Sequence, residues 1–212
     1  SKIIFHEISS INYCINSIWE SFINDNSNIE LIFTSEKPQV KQIFNFGANI
    51  YKNASIKLHC IDIGGKLIKN NYFINLCKPD SQCYFNGINI LNNKEHIDSY
   101  IEIYHKNIST FSDLNFNIIA NGSSKGILYA KAIIEKMSSN SQAYQKNNNL
   151  MMSPKSTIHA NPQLKIYNND VQCSHASTTG DLDEEIIYYM GTRGIKQKDA
   201  KGLMLKGFLD DI

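Results

Sequence analysis

The sequence has almost no arginine and no long apolar run, and each shortage excludes a class of protein. Arg193 is the single arginine among 21 basic residues, which 20 acidic residues balance to a net charge of +1. The chain therefore has no arginine-rich face for nucleic acid. Its longest apolar runs, such as residues 186–190, are far shorter than the ~20 residues that span a bilayer. We expect neither nucleic acid nor a membrane as a partner.

Cysteine pairs and known catalytic motifs are also missing. The chain has five cysteines, an odd number, and no C-x-x-C pair, which favours a reducing compartment over a disulfide framework. We interpret Cys60, Cys77 and Cys83 as core residues, because Pro79 interrupts the spacing between the last two and zinc sites rarely use that spacing. No P-loop, GxGxxG, HExxH or GxSxG motif occurs.

Short alternating apolar stretches dominate residues 42–173. Period-2 alternation of this kind predicts half-buried strands, and it occurs at 56–60, 88–90, 100–104, 114–118 and 164–167. The dipeptides between these stretches predict turns: Gly64-Gly65, Asn70-Asn71, Asn86-Gly87, Asn92-Asn93, Asn121-Gly122 and Asn168-Asn169. Many short strands leave a sandwich, a barrel or a β-solenoid. No strict hexapeptide or nonapeptide repeat decides among them.

The pattern changes to helical periodicity after Gly180. A first helix, preceded by Asp181 and ended by Gly194, places Leu182, Ile186 and Tyr189/Met190 on one face. A second helix is predicted from about Gln197 to Asp210. Its apolar stripe consists of Ala200, Leu203, Met204 and Phe208.

The densest group of polar residues lies where the strands give way to the helices, at residues 170–175. In an extended segment Cys173 and His175 project from the same face. A thiol and an imidazole on one face can bind a soft metal or form an activated nucleophile. The alternative is a buried cysteine beside a capping histidine, with Asp170 as a turn residue.

Residues 161–185 carry a resemblance to the SufD branch of the SufB/SufD family, subunits of the SUF iron–sulfur cluster assembly machinery. They resemble the family pattern P-x-L-E-I-x-x-D-D-V-x-C-S-H-G-A-T-x-G-x-L-D-E-E, with other residues at 165, 169, 176 and 177. Residues 145–153 resemble the family's Q-x-N-x-N-L-L-L-S, and residues 189–195 resemble F-Y-L-x-S-R-G-I. The match covers roughly four-fifths of the chain in consistent order, from residue 42 onward.

The related SufB-type scaffold is the main alternative within this family. SufB proteins carry V-E-H-E-A-T-T-S where this chain has Cys173, Ser174 and His175, although Thr178 and Thr179 echo SufB. Their scaffold cysteine lies in a Y-x-Q-C-D-S motif, and Asn147 stands at that place here. An amide cannot replace a thiolate as an iron ligand, so the resemblance favours SufD.

The resemblance implies a mainly β fold, a right-handed parallel β-helix with a short C-terminal α-helical segment. It divides the chain into 1–41, an N-terminal segment that is truncated or forms the first coils; 42–180, the β-helix core; and 181–212, the helical segment. Departures from the family include Ala176 for the Gly after C-S-H, and Tyr100 for one of two histidines, of which His105 matches the other.

The resemblance also implies a non-catalytic subunit that pairs with SufB and docks the SufC ATPase, with a homodimer as the alternative in isolation. No cofactor is intrinsic; a transient iron–sulfur cluster or iron lies at the SufB–SufD interface, where His175 and Cys173 are the candidate metal ligands. Leu182, Ile186, Tyr189, Leu203, Met204 and Phe208 are the expected ATPase-docking residues. The implied compartment is the bacterial cytoplasm or the plastid stroma.

Two other function classes fit a β-rich chain less well. A β-helix enzyme that cleaves carbohydrate would cluster carboxylates on one face of the solenoid, and the sequence reveals no such cluster. A cysteine hydrolase that uses Cys173 and His175 would need an orienting group and an oxyanion hole, and neither is identifiable.

Overall fold

A computed structural model of the protein describes residues 1–8, 13–36 and 39–210. Residues 9–12, 37–38 and 211–212, which fall within the predicted N-terminal and C-terminal segments, lie outside the described residues. Thirteen described strands, β1 to β13, precede two helices, α1 (Glu184–Thr192) and α2 (Gln197–Asp210). The strands begin at residue 2 rather than near residue 42, so the alternating region starts earlier than its sequence pattern indicated.

The strands form two sheets, one of the odd-numbered strands and one of the even-numbered strands. The first sheet contains β1 (Lys2–Ile8), β3 (Asn28–Glu36), β5 (Ser55–Ile63), β7 (Gln82–Leu91), β9 (Phe111–Ala120), β11 (Ser141–Met151) and β13 (Val171–Asp181), in that order. The second contains β2 (Cys14–Ile23), β4 (Lys41–Ile50), β6 (Leu67–Leu76), β8 (His96–His105), β10 (Lys125–Ile134) and β12 (Thr157–Ile166).

Each coil of the chain contributes one strand to each sheet, and every strand pairing in the described part is parallel. This arrangement is a β-solenoid of about six turns, and it confirms the predicted parallel β-helix with a C-terminal helical segment. Paired residues are 26 to 32 positions apart in the sequence. Because this spacing varies, the solenoid leaves no fixed repeat in the sequence.

Alternate residues of the central strands point into the solenoid and form its core. Strands β7 and β8 alternate strictly between half-buried and buried positions. Aromatic rings from successive coils follow one another inside, with centroid distances of 5.4 Å for Phe33–Phe44, 5.0 Å for Tyr72–Phe85 and 6.3 Å for Phe85–Phe116. The interior is therefore one continuous apolar column from the first coils to the middle of the chain.

One corner of the solenoid uses a residue with left-handed backbone in five successive coils. These residues have φ between 51° and 61°: Asn26, Asn53, Asp80, Ser109 and Asn140. Each donates its backbone N–H to a carbonyl of the next coil, at 2.7 to 3.4 Å. Asparagine and aspartate tolerate this conformation better than most side chains, so part of the asparagine-rich composition serves these stacked turns.

Two of the predicted turns are wrong because their residues lie inside strands. Asn71 lies in β6 and donates its side-chain amide to Asn45 of the preceding coil at 2.8 Å, while Asn70 points inward and donates to Asp62. Gly87 lies in β7, in register with Phe116, whose ring occupies the space that a β-carbon would need. These residues resemble turn formers in sequence, but stacking between coils places them in strands.

The two terminal helices occur where the sequence predicts them, but the residues that face the solenoid differ from the predicted apolar stripes. Helix α1 starts after Asp183, whose carboxylate accepts from the backbone N–H groups of Glu185 and Ile186, whereas Asp181 still belongs to β13. Gly194, with φ of 86°, ends the α1 turn as predicted. Helix α2 has the predicted bounds.

The predicted apolar stripe of α1 does not mark the side that packs against the protein. Ile187 is the buried residue of α1, whereas Ile186 and Tyr189 are 43% and 58% exposed. On α2, Ala200 is fully buried and Leu203 is 51% exposed. Helical periodicity predicted the helices, but their attachment to the last coil determines which residues face inward.

His105 ends β8 in a fully buried polar cluster. Its Nδ1 and Nε2 atoms each lie 2.8 Å from a hydroxyl, of Thr110 and Ser112 respectively. Burial lowers the pKa of the imidazole to about 4. The ring is therefore neutral in the folded chain at neutral pH.

We expect this neutral histidine to make folding pH-dependent. The unfolded chain binds a proton at the ordinary histidine pKa of about 6.5 and the folded chain does so near pH 4, so stability is complete above pH 6.5 and falls as the pH approaches 4. Linkage gives a loss of about 3 kcal/mol. Urea unfolding of the His105→Gln variant should show lower stability at pH 7 but a flatter profile between pH 6.5 and pH 4. An unchanged slope would contradict this assignment.

Candidate functional site

The C-terminal end of the solenoid presents two strands with one unpaired edge each. Strand β13 pairs only with β11, and β12 pairs only with β10, in the described part of the chain. An open edge carries free backbone N–H and C=O groups, which can pair with a strand of another chain. We call this end, formed by β12 and β13, the C-terminal mouth.

One wall of the mouth is a row of polar side chains on β13. Cys173, His175, Ser177 and Thr179 lie in register with the buried residues Ala143, Gln145, Asn147 and Asn149 of β11. The row therefore continues the inward-facing side of the sheet, but no further coil of the described chain covers it. His175 is exposed and Cys173 is half-buried. Burial raises the pKa of the Cys173 thiol, and a hydrogen bond with the Ala143 backbone partly offsets this.

The facing wall of the mouth belongs to β12 and is apolar. Its partly buried apolar residues are Ile158, Ala160, Pro162 and Leu164, and the polar Gln163 between the last two is also partly buried. Leu164, Val171 and Cys173 pack against a small buried cluster that includes Ala132 and Ala143. The thiol and imidazole of β13 therefore lie at the border between an apolar wall and a polar row.

Asn147, the residue at the place of the SufB-type cysteine, is fixed in a hydrogen-bond network. It is 3% exposed, and its amide donates to the Phe116 carbonyl at 2.5 Å and to the Asn149 side chain at 3.1 Å. Its oxygen accepts from Asn149 at 2.6 Å and from Ser177 at 3.1 Å. The residue uses both its donor and its acceptor to tie β9, β11 and β13 together.

The chain offers two soft donors at the mouth and no complete metal centre. No group of three or more His, Cys, Asp or Glu side chains that could hold a metal occurs in residues 1–8, 13–36 and 39–210. Cys60 and Cys83 are buried, and burial raises the pKa of both thiols far above the usual value. Cys77 is half-buried. Cys14 is exposed, but it lies on β2, the edge strand at the opposite end of the second sheet. Cys173 and His175 are the thiol and imidazole that share one face at the mouth.

A cleft of about 1040 Å³ separates the end of the solenoid from the helices. Met151, Ser156, Leu182, Ile187 and Lys201 are among its lining residues. Leu182 lies at its edge and donates its backbone N–H to the Met151 carbonyl at 3.1 Å. None of the described helices is both long and apolar enough to cross a membrane.

The structure also identifies exposed or unpaired groups that sequence reasoning missed. Tyr188 of α1 is 76% exposed and lines the cleft, although its neighbour Tyr189 was the one selected from the sequence. Gln145 is buried with an unpaired amide, directly in register with His175. Its position two residues before Asn147 in an alternating strand could have placed it on the inner face, but the sequence could not place it beside His175.

Comparison with known proteins gives a consistent family match. The family model for the SufBD core domain of the SUF iron–sulfur cluster assembly system matches residues 2–208. The chain is 26% identical to the iron–sulfur cluster assembly protein SufD of Escherichia coli over 161 residues. It is 24% identical to the chloroplastic protein ABCI7 of Arabidopsis thaliana over 153 residues, and 24% identical to the SufD of Plasmodium berghei over 219 residues.

The matches cover most of this chain but a smaller part of the relatives. The E. coli match includes 76% of this chain and 38% of the relative, and the Arabidopsis match includes 72% and 32%. The P. berghei match includes the whole chain and 16% of the relative. The chain thus spans less than two-fifths of the length of these relatives, and its match to the family model runs from the first strand into α2.

Proposed function

The chain belongs to the SufBD core-domain family of the SUF iron–sulfur cluster assembly system, and we propose that it acts there as a SufD-type, non-catalytic scaffold subunit. In this role it pairs with SufB through the C-terminal mouth and docks the SufC ATPase through its terminal helices. Its substrate is a nascent iron–sulfur cluster, which is held only in transit. The observation that carries the proposal is the Cys173–His175 donor pair on an open strand edge.

An incomplete donor set at an open edge supports a shared site. Most iron–sulfur clusters are held by four protein ligands, and this chain offers only a thiol and an imidazole at the mouth. The remaining ligands would have to come from the partner that covers β13. If a strand of the partner pairs with the open edge of β13, the partner's side chains come close to Cys173 and His175 and can supply the remaining ligands.

The SufB-type alternative is disfavoured by the residue at position 147. Asn147 is buried and its amide is fully engaged, so it contributes no soft ligand to iron. A SufB-type scaffold should form a cluster on its own when supplied with iron and sulfide. We expect this chain to form none alone, which ultraviolet–visible absorbance after reconstitution would measure.

The proposed pairing can be tested by copurification. Tagged chain expressed with SufB and SufC from the same source should retain both, and iron and sulfide should then produce cluster absorbance on the complex. A chain that binds neither partner, or a purified chain that hydrolyses ATP at a measurable rate by itself, would contradict the proposal.

The helices supply the proposed docking surface for SufC. Of the residues selected from the sequence, Ile186, Tyr189 and Leu203 are clearly exposed, whereas Leu182, Met204 and Phe208 are partly buried. The exposed members leave apolar surface that the solenoid does not cover. Tyr189 also stacks on Arg193, whose guanidinium lies 5.3 Å from the ring centroid.

We expect Leu203→Asp to weaken SufC binding by about tenfold or more, because it places a charge in an apolar contact. The fold should be unaffected, since Leu203 is 51% exposed. Met137→Asp is the matched control: Met137 is 79% exposed and lies in a turn between β10 and β11. Calorimetric titration of SufC into each variant checks the result. Equal affinity for wild type and Leu203→Asp would place the docking surface elsewhere.

A further inference from the structure

Gln145 is the buried polar side chain at the mouth whose hydrogen bonds are not accounted for. It lies in the middle of β11, is 5% exposed, and both its Nε2 and Oε1 atoms are buried without a partner in the described part of the chain. A glutamine amide offers two donor hydrogens and an acceptor oxygen. Burying them unpaired costs free energy, so such a group calls for a specific explanation.

Of the two residues in register with Gln145, one is apolar and the other is His175. On the preceding strand of the sheet, β9, the residue in register with Gln145 is the buried apolar Leu114. On the following strand, β13, it is His175. Ala143, two residues earlier on the same face, is apolar and fully buried. Adjacent strands are about 4.8 Å apart, so the amide lies one strand below the imidazole and on the same face of the sheet.

The same row shows that buried amides here are normally satisfied. Asn147 and Asn149 bond each other, and Asn149 also donates to the Thr178 carbonyl and the Thr179 hydroxyl at 3.1 and 3.2 Å. Gln145 differs from them in the residue that lies above it. Asn147 and Asn149 form hydrogen bonds with Ser177 and Thr179, the β13 residues in register with them. The amide of Gln145, which is in register with His175, has no such bond.

We propose that Gln145 binds the metal-bound water of an iron ion that His175 carries, and so positions iron at the mouth. The inference rests on the proposed function and adds a residue to it. The imidazole of His175 supplies the metal–ligand bond, and the Gln145 amide forms a hydrogen bond with a water molecule in the coordination sphere of the iron. Such outer contacts fix the geometry of a metal site, and their loss typically costs 10–100-fold in affinity.

The experiment compares Gln145→Leu with Gln142→Leu in the purified complex with SufB and SufC. Gln142 lies on the same strand, but it faces outward and accepts from the Tyr144 hydroxyl. We expect Gln145→Leu to weaken Fe²⁺ binding, titrated anaerobically, by about 10–100-fold, and Gln142→Leu to leave it unchanged. The melting temperature of the metal-free complex should be equal or higher for Gln145→Leu, because no protein hydrogen bond is lost.

The outcomes separate this inference from the proposed function. If the wild-type complex binds no iron at the mouth, or if His175→Ala binds it as well as wild type, the proposed function fails and Gln145 fails with it. If binding depends on His175 but Gln145→Leu equals wild type, the inference about Gln145 alone is wrong. A lower melting temperature for metal-free Gln145→Leu would also overturn it, because the amide would then be structural.

Discussion

The His175→Ala variant should assemble with SufB and SufC but accumulate cluster at least about tenfold more slowly than wild type. The His175 side chain is exposed on the last strand, and Ser177 and Thr178 supply side-chain hydrogen bonds to β11. Because alanine keeps the backbone pairing of position 175 with β11, the substitution should leave the fold intact. What it removes is the imidazole of the donor pair. Cys173 alone cannot complement a thiolate of the partner in the same geometry.

The matched control for this variant is His159→Ala. His159 is exposed and lies on β12, the other strand of the mouth, but its odd-numbered position points away from the partly buried row. Iron–sulfur absorbance is followed over time after adding iron and sulfide to each complex, together with the amount of partner retained. Normal accumulation in His175→Ala would make His175 structural. If the His175→Ala variant no longer retains SufB, the role of His175 is in binding the partner subunit and not in cluster formation.

The fold could be predicted because two signals agreed. Alternation in stretches such as 56–60 and 100–104 predicted strands, and residues 161–185 identified the family, whose fold then followed. Alternation alone left a sandwich or a barrel open, because the coil spacing varies from 26 to 32 residues. Asn71 and Gly87 were misplaced for the same reason, since their roles depend on residues of neighbouring coils.

The candidate site was predictable within one strand but not across strands. Cys173 and His175 share a face because β13 is extended, and their sequence spacing is sufficient to predict this. Gln145 could not be linked to His175, because that relation depends on the register between β11 and β13. Ile187 could not be distinguished from Ile186 as the inward residue of α1, because the solenoid end and not the helix determines its orientation.

Gly87→Val should destabilise the protein by about 3 kcal/mol, at the upper end of the cost of overfilling a packed core. Gly87 is a buried position of β7, and the ring of Phe116 from the next coil occupies the space above its α-carbon. A valine there must displace that ring, which also packs against Phe85 at 6.3 Å between centroids. Urea unfolding followed by circular dichroism measures the loss.

Gly47→Val and a second substitution at position 116 distinguish crowding from a general effect of losing glycine. Gly47 lies inside β4 at an outward position, and the nearest atom to a β-carbon there is the Trp19 carbonyl oxygen at 3.9 Å. Valine suits an exposed strand position, so this variant should be neutral or slightly more stable. Phe116→Ala removes the ring that valine would meet, so Gly87→Val should cost less in that background than in wild type. Equal costs in both backgrounds would show that Phe116 is not the reason for glycine at position 87.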